Sequence, residues 1–182
     1  MLVLASQSLR RQQILRTAGL EFVVRVPGVP EEIQSGETPA GYVRRLAIAK
    51  ANAVQAEDAD IVLAADTVVV IDEHILEKPR DFADATRMLQ LLSGRCHEVV
   101  TGICLKRRDQ TIVDVASTLV HFAPMHPREI DEYVRSGEPM DKAGGYAIQG
   151  RASKFIDRIE GDYFNVVGLP VALVYRYLKN FS

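Results

Sequence analysis

Apolar residues along the chain follow two rhythms, one continuous and one stepped. Continuous runs at 2–5 and above all at 61–71, IVLAADTVVVI, predict strands covered on both faces. FVVRVPGV at 22–29 predicts a second strand, broken by Pro27 and Gly28. EVVTGICL and IVDVASTLVHF predict two more, on either side of a turn near Arg108–Gln110. The stepped rhythm marks helices. The helix that follows strand 2–5 ends at Gly19, and ETPAGYVRRLAIAKANAVQ opens with Thr38 as N-cap and Pro39 at its first position. FADATRMLQLL at 82–92 sets Phe82, Ala85, Met88, Leu89 and Leu92 on one face, and Gly94 after Ser93 stops it. His126–Pro127 starts a short helix through Ile130, Tyr133 and Val134 that closes at Gly137; a strand near 154–159 and a final helix after Pro170 follow. Strands and helices mix without strict βαβ alternation, which predicts an α/β fold around a mixed, twisted sheet flanked by helices.

Composition narrows the function classes. With 182 residues there is enough chain for one substantial core, divided at most into two lobes. A net charge of −2 argues against a general binder of nucleic acid or anionic membrane, so any positive cluster must be local. Cys96 and Cys104 make neither a zinc pattern nor a disulfide framework, and read as reduced residues of a cytoplasmic protein. No apolar stretch approaches the ~20 residues of a membrane span, and no export signal is visible at the N-terminus.

Several polar residues break the pattern. SQSLRR (6–11) sets Ser6, Ser8, Arg10 and Arg11 where a buried strand turns into a helix. An N-cap needs one serine, and positive charge near a helix start opposes its dipole. An anion such as phosphate, held by hydroxyls, guanidiniums and backbone N–H groups, would account for all four. Asp66 sits inside the apolar run 61–71, where an unpaired carboxylate costs several kcal/mol. It is either a strand-end cap or a carboxylate that binds metal or activates water. Thr67 points to the opposite face if the strand is regular. Lys50 falls within the apolar stripe of Val43, Leu46, Ala47 and Val54, either snorkelling at the core edge or entering a phosphate pocket. Glu31 and Glu32 alone read as a solvated acidic pair, and Lys78 alone as a surface lysine near a strand end. GEPMDKAGGYAIQG (137–150) is glycine-rich enough to approach a ligand closely, or to be a plain turn. His97, His121 and His126 lack metal-ligand spacing, His74 reads as a turn residue, and none is given a function.

Seven segments carry a resemblance: LASQSLRR, ETPAGYVRRLAIAKA, AADTVV, LEKP, MLQLLSGRCHEVVTG, SGEPMDKAGGYAIQG and NVVGLP. They stand here in the order seen in the Maf family of nucleoside-triphosphate pyrophosphatases, from residue 2 to about 170. The resemblance implies an inosine-triphosphatase-like fold of two lobes with a cleft between, 1–182 forming a single domain. The family usually has proline where this chain has Leu9, which implies a looser turn with the polar residues retained.

The resemblance also gives the anomalies roles. Ser6, Ser8, Arg10, Arg11, Lys50 and Lys78 would bind the triphosphate. Glu31 would be a metal ligand, and Asp66 the proton acceptor and a further ligand of a divalent metal, Mg²⁺ or Mn²⁺. Arg10, Thr67 and Gln149 would contact substrate and choose the base. GGYAIQG looks like the branch acting on dTTP and UTP, and an amide suits the pyrimidine edge, which offers both a donor and an acceptor. The implied reaction is hydrolysis between the α- and β-phosphates to a nucleoside monophosphate and pyrophosphate. The implied protein is a homodimer that binds neither nucleic acid nor membrane. Two alternatives stay open: the 7-methyl-GTP branch, and a nucleotide-binding regulator of cell division.

Overall fold

The sheet is organised around one long strand, β3 (Ile61–Ile71), in the computed structural model, which describes residues 1–181. β1 (Leu2–Ala5) lies parallel to β3, in register from Leu2 opposite Ile61 to Ala5 opposite Ala64. β2 (Val23–Val24) lies parallel to the other side of β1. The order β2-β1-β3 continues through β5 (Cys96–Arg107), β6 (Gln110–Phe122) and β7 (Ile156–Glu160), while β4 (His74–Leu76) pairs with β3 off this path. The β3–β4 and β6–β7 pairs are antiparallel, so the sheet is mixed as the element pattern predicts.

Two elements differ from expectation. The strand expected over 22–29 is only two residues of ladder. Arg25 N–H still reaches Leu4 O at 3.0 Å, but Pro27 and Pro30 have no N–H to continue the pairing. β4 was not expected at all. Asp72 and Glu73 both adopt positive φ, 48° and 64°, and form a tight turn without the glycine that would announce it. His74, expected in the turn, is therefore the first residue of β4, opposite Ile71.

The chain forms two compact units. The first takes Met1–Thr67, Thr101–Ala116 and the stretch from Gly168. Its helices are α1 (Leu9–Thr17), α2 (Pro39–Asn52) and α6 (Val171–Leu178). Thr38 caps α2, its hydroxyl accepting from Gly41 N–H at 3.1 Å. Val3, Ala5, Ala47, Ala51, Val62, Ala64 and Cys104 make a core of mostly small side chains, and burial pushes the Cys104 thiol up to about 11. At Gly102 the α2 backbone comes close: a Cβ there would fall 2.5 Å from the Val43 carbonyl. Only glycine permits that contact.

The second unit takes Val68–Val100 and Ser117–Val167. Its helices are α3 (Phe82–Leu92), α4 (Pro127–Arg135) and the short α5 (Tyr163–Val167), which the sequence did not announce. Met88, Leu89 and Leu92 of α3 bury with Val99, Phe122, Tyr133 and Phe155, but Phe82, at the first position of the helix, stays 52% exposed. His126 caps α4 in a capping box with Glu129, whose carboxylate accepts from His126 N–H at 2.9 Å. Among the described residues, no helix is long and apolar enough to cross a membrane.

Candidate active site

Lys50 and Asp66 resolve each other's anomaly. The apolar stripe of α2 turns Lys50 inward, and its ammonium lies 2.6 Å from Asp66 Oδ1 on β3. Both side chains are 9% exposed. The compensation that a carboxylate at this strand position requires is thus a cation supplied by the neighbouring helix, and Asp66 is no strand-end cap. Lys50 also reaches Glu31 Oε1 at 2.6 Å. Glu31, which alone reads as a solvated acid, belongs to a buried ammonium.

The two serines and two arginines of SQSLRR do separate work. Ser8 is the N-cap of α1, its hydroxyl facing Arg11 N–H at 3.4 Å. Ser6 Oγ accepts from Ser8 N–H at 3.2 Å and from Arg11 Nη1 at 3.3 Å. Arg11 does not point along the helix start into solvent. Its Nε donates to Gly168 O at 2.8 Å and its Nη2 to Thr67 Oγ1 at 3.0 Å. Burial pushes this guanidinium below its ordinary value, Asp66 and Glu31 pull it back up, and Arg10 opposes them. Arg10 is half-buried on the same turn of α1. Thr67 turns to partners different from those of Asp66, as alternation along a strand requires. Its hydroxyl meets Thr101 Oγ1 at 2.9 Å and donates to Gly168 O at 3.3 Å.

The first unit therefore gathers Ser6, Ser8, Arg11 and Thr67 into one hydrogen-bonded group and Glu31, Lys50 and Asp66 into one charged group. Thr101 and Gly168 complete the first group and were not singled out from sequence, although both lie in segments that carry the resemblance. Small neutral residues disturb no hydrophobic pattern.

Lys78 and Gln149 belong to the second unit and are both exposed. Their segments are fastened to each other. Glu77 O, next to Lys78, accepts from Gly144 N–H at 3.1 Å. Gly144 has φ 68°, and a Cβ there would lie 2.7 Å from Val69 Cγ2. Beyond it, Tyr146 is buried with its hydroxyl 2.7 Å from His97 Nε2, and both rings meet Phe122 edge-on. Burial drives His97 down to about 3, so it is neutral, and its Nδ1 has no hydrogen-bond partner among the described residues. Gln149 sits in the turn that Gly150 N–H closes on Ala147 O at 3.1 Å.

The carboxylates suit a hard divalent cation. Glu31 Oε1 and Asp66 Oδ1 are each 2.6 Å from one ammonium, so they lie within twice that distance of each other. No group of three metal-ligating side chains occurs among the described residues. Two carboxylates fit Mg²⁺ of the kind completed by water and substrate phosphate, not an all-protein cage.

Comparison with known proteins places the chain. A family profile described as Maf-like protein matches residues 1–181. The chain belongs to the Maf family. A dTTP/UTP pyrophosphatase of Koribacter versatilis is 52% identical over 179 residues, 98% of this chain and 93% of that protein. Another, from Symbiobacterium thermophilum, is 51% identical over 182 residues, covering 100% and 94%. A third, from Bacillus cytotoxicus, is 47% identical, covering 99% and 95%. Among solved structures, the Staphylococcus aureus Ham1 protein superposes with a TM-score of 0.52 at 14% identity, covering 100% of this chain and 99% of that one. That likeness is one of fold, the mixed α/β architecture described above. The departure from the Maf pattern at residue 9 is absorbed locally: Leu9 is the first, 76% exposed residue of α1, and Ser8 still caps the helix.

Proposed function

We propose that this chain is a nucleoside triphosphate pyrophosphatase that converts dTTP and UTP to the monophosphate and pyrophosphate. The observation that carries the reading is the buried Asp66–Lys50 pair, joined at its edge by the exposed Glu31, which sets a carboxylate against a cation in the unit that also holds Arg11. The names of the relatives at 47–52% identity support the same reaction and the same bases.

Asp66 takes the proton of the attacking water, oriented for that task by the Lys50 ammonium. Ser6, Ser8, Arg10, Arg11 and the N-terminal N–H groups of α1 hold phosphate oxygens. Lys50 and Lys78 offset the charge that develops on the departing pyrophosphate. Mg²⁺ or Mn²⁺, held by Glu31 and Asp66, would add neutralisation of phosphate charge when bound. Arg10, Thr67 and Gln149 choose the base, the Gln149 amide facing the pyrimidine edge. The reading includes a single domain over 1–182, a cytoplasmic setting and a homodimer, the last tested by light scattering.

The test is pyrophosphate release with Mg²⁺ or Mn²⁺ across dTTP, UTP, CTP, 7-methyl-GTP and the other common triphosphates. Preference for dTTP and UTP is the expected result. Preference for 7-methyl-GTP keeps the reaction and overturns the base assignment. No release from any of them by folded protein overturns catalysis and leaves a nucleotide-binding regulator.

A further inference from the structure

The turn that presents Gln149 is clamped at both ends by side chains that the reaction does not use. At its start, Ala147 N–H donates to the Tyr133 hydroxyl at 3.3 Å. Just past its end, Arg151 N–H donates to Glu138, at 3.0 Å from Oε1 and 3.2 Å from Oε2. The two clamps are one device, because the Tyr133 hydroxyl itself donates to Glu138 Oε1 at 3.0 Å. One carboxylate thereby governs both ends of the segment 147–151.

The neighbouring glycine shows how closely the device is built. A Cβ on Gly150 would fall 2.1 Å from Glu138 Oε1, so the carboxylate reaches the backbone only because residue 150 has no side chain. Tyr133 is 3% exposed, and burial together with Glu138 pushes its hydroxyl up, which keeps it a donor. Gln149 is exposed between these anchors. An amide that must meet both a donor and an acceptor on a base edge works only if its backbone is held in place.

We propose that Glu138 is a specificity-positioning residue: by fixing the Ala147–Arg151 segment it sets the pose of Gln149 and so the choice of base, without touching substrate. The proposal rests on the reading of Gln149 as the base-contacting amide.

The experiment measures kcat and KM for UTP and CTP in wild type, Glu138→Ala, Glu138→Gln, Gly150→Ala, Gln149→Ala and the double variant Glu138→Ala/Gln149→Ala. Glu138→Ala should lower the UTP-over-CTP ratio of kcat/KM by on the order of tenfold to a hundredfold, the scale on which small misplacements act, chiefly through KM for UTP. Glu138→Gln keeps one acceptor for Arg151 N–H and should restore part of the ratio. Gly150→Ala displaces the carboxylate from the other side and should reproduce the loss, which keeps the test intact if Glu138→Ala does not fold. In the Gln149→Ala background, Glu138→Ala should change the ratio no further. If Gln149→Ala alters discrimination while Glu138→Ala and Gly150→Ala do not, the positioning role is overturned and the base contact stands. An equal loss of kcat on both nucleotides, at constant ratio, assigns Glu138 to folding alone and also overturns it. If Gln149→Ala leaves the ratio unchanged, the base contact itself fails and the proposal with it.

Discussion

Lys50 Nζ stands 2.6 Å from Asp66 Oδ1, and the same nitrogen stands 2.6 Å from Glu31 Oε1. Two carboxylates thus share one ammonium. The arrangement stabilises Asp66 within an apolar strand.

Replacing Lys50 by Met should therefore destabilise the fold. Removing one partner of a buried pair costs about 3–5 kcal/mol, because the other charge is left uncompensated. A urea titration should show the loss, and Lys50→Met/Asp66→Asn should recover part of it. A midpoint equal to wild type would show that Asp66 is compensated by something else.

Asp66→Asn addresses catalysis. The amide keeps the shape and loses the base, so pyrophosphate release should fall on the order of 10²–10⁴-fold with the circular dichroism spectrum retained. Wild-type turnover in that variant would remove Asp66 from the reaction.

Gln149→Glu should lower turnover of UTP and dTTP, since a carboxylate offers acceptors only. An unchanged substrate ranking would remove Gln149 from base selection.

His97 sets a pH dependence of stability. Its folded value is lowered to about 3 from an ordinary 6.5 by burial, so between those values the unfolded chain takes up a proton that the folded chain refuses. The contribution of His97 is complete above 6.5 and declines as pH falls through the window, by up to about 1.4 kcal/mol per unit. His97→Phe should flatten that part of the curve. Urea midpoints at pH 7.5 and pH 5 measure it; equal slopes in the two proteins would count against a neutral, buried His97.

Gly102→Ala tests how α2 is seated. A Cβ 2.5 Å from the Val43 carbonyl meets backbone, which cannot rotate away. The cost should be about 1–3 kcal/mol, seen as a lower Tm, with turnover reduced because α2 also carries Lys50. A variant as stable and active as wild type would show that α2 can shift freely.

The strongest sequence signals were energetic ones. Asp66 and Lys50 stand out because a charge in an apolar pattern is costly unless something answers it, and each turned out to answer the other. Thr38 follows from local cap chemistry and caps its helix as read, whereas Ser8, read as an anion contact, is the N-cap of α1. Glu31 was not legible in this way, since nothing local says that its loop returns to α2. The Asp72–Glu73 turn is not legible because Glu73 takes the positive φ at a place where such turns usually carry glycine. Thr101 and Gly168 escaped for the opposite reason: they are small, fit their surroundings, and matter only through partners distant in the chain.

The hydrogen bond from Arg11 Nε to Gly168 O joins residues 157 positions apart. During synthesis, the arginine that follows β1 waits for a carbonyl made 157 residues later. The residues of α1 emerge early, but the Arg11 side chain is settled only after residue 168 has left the ribosome. The fixed pose of Arg11 is thus acquired only after 157 further residues have been added, and a chain that stops short of residue 168 lacks the carbonyl that orients this guanidinium.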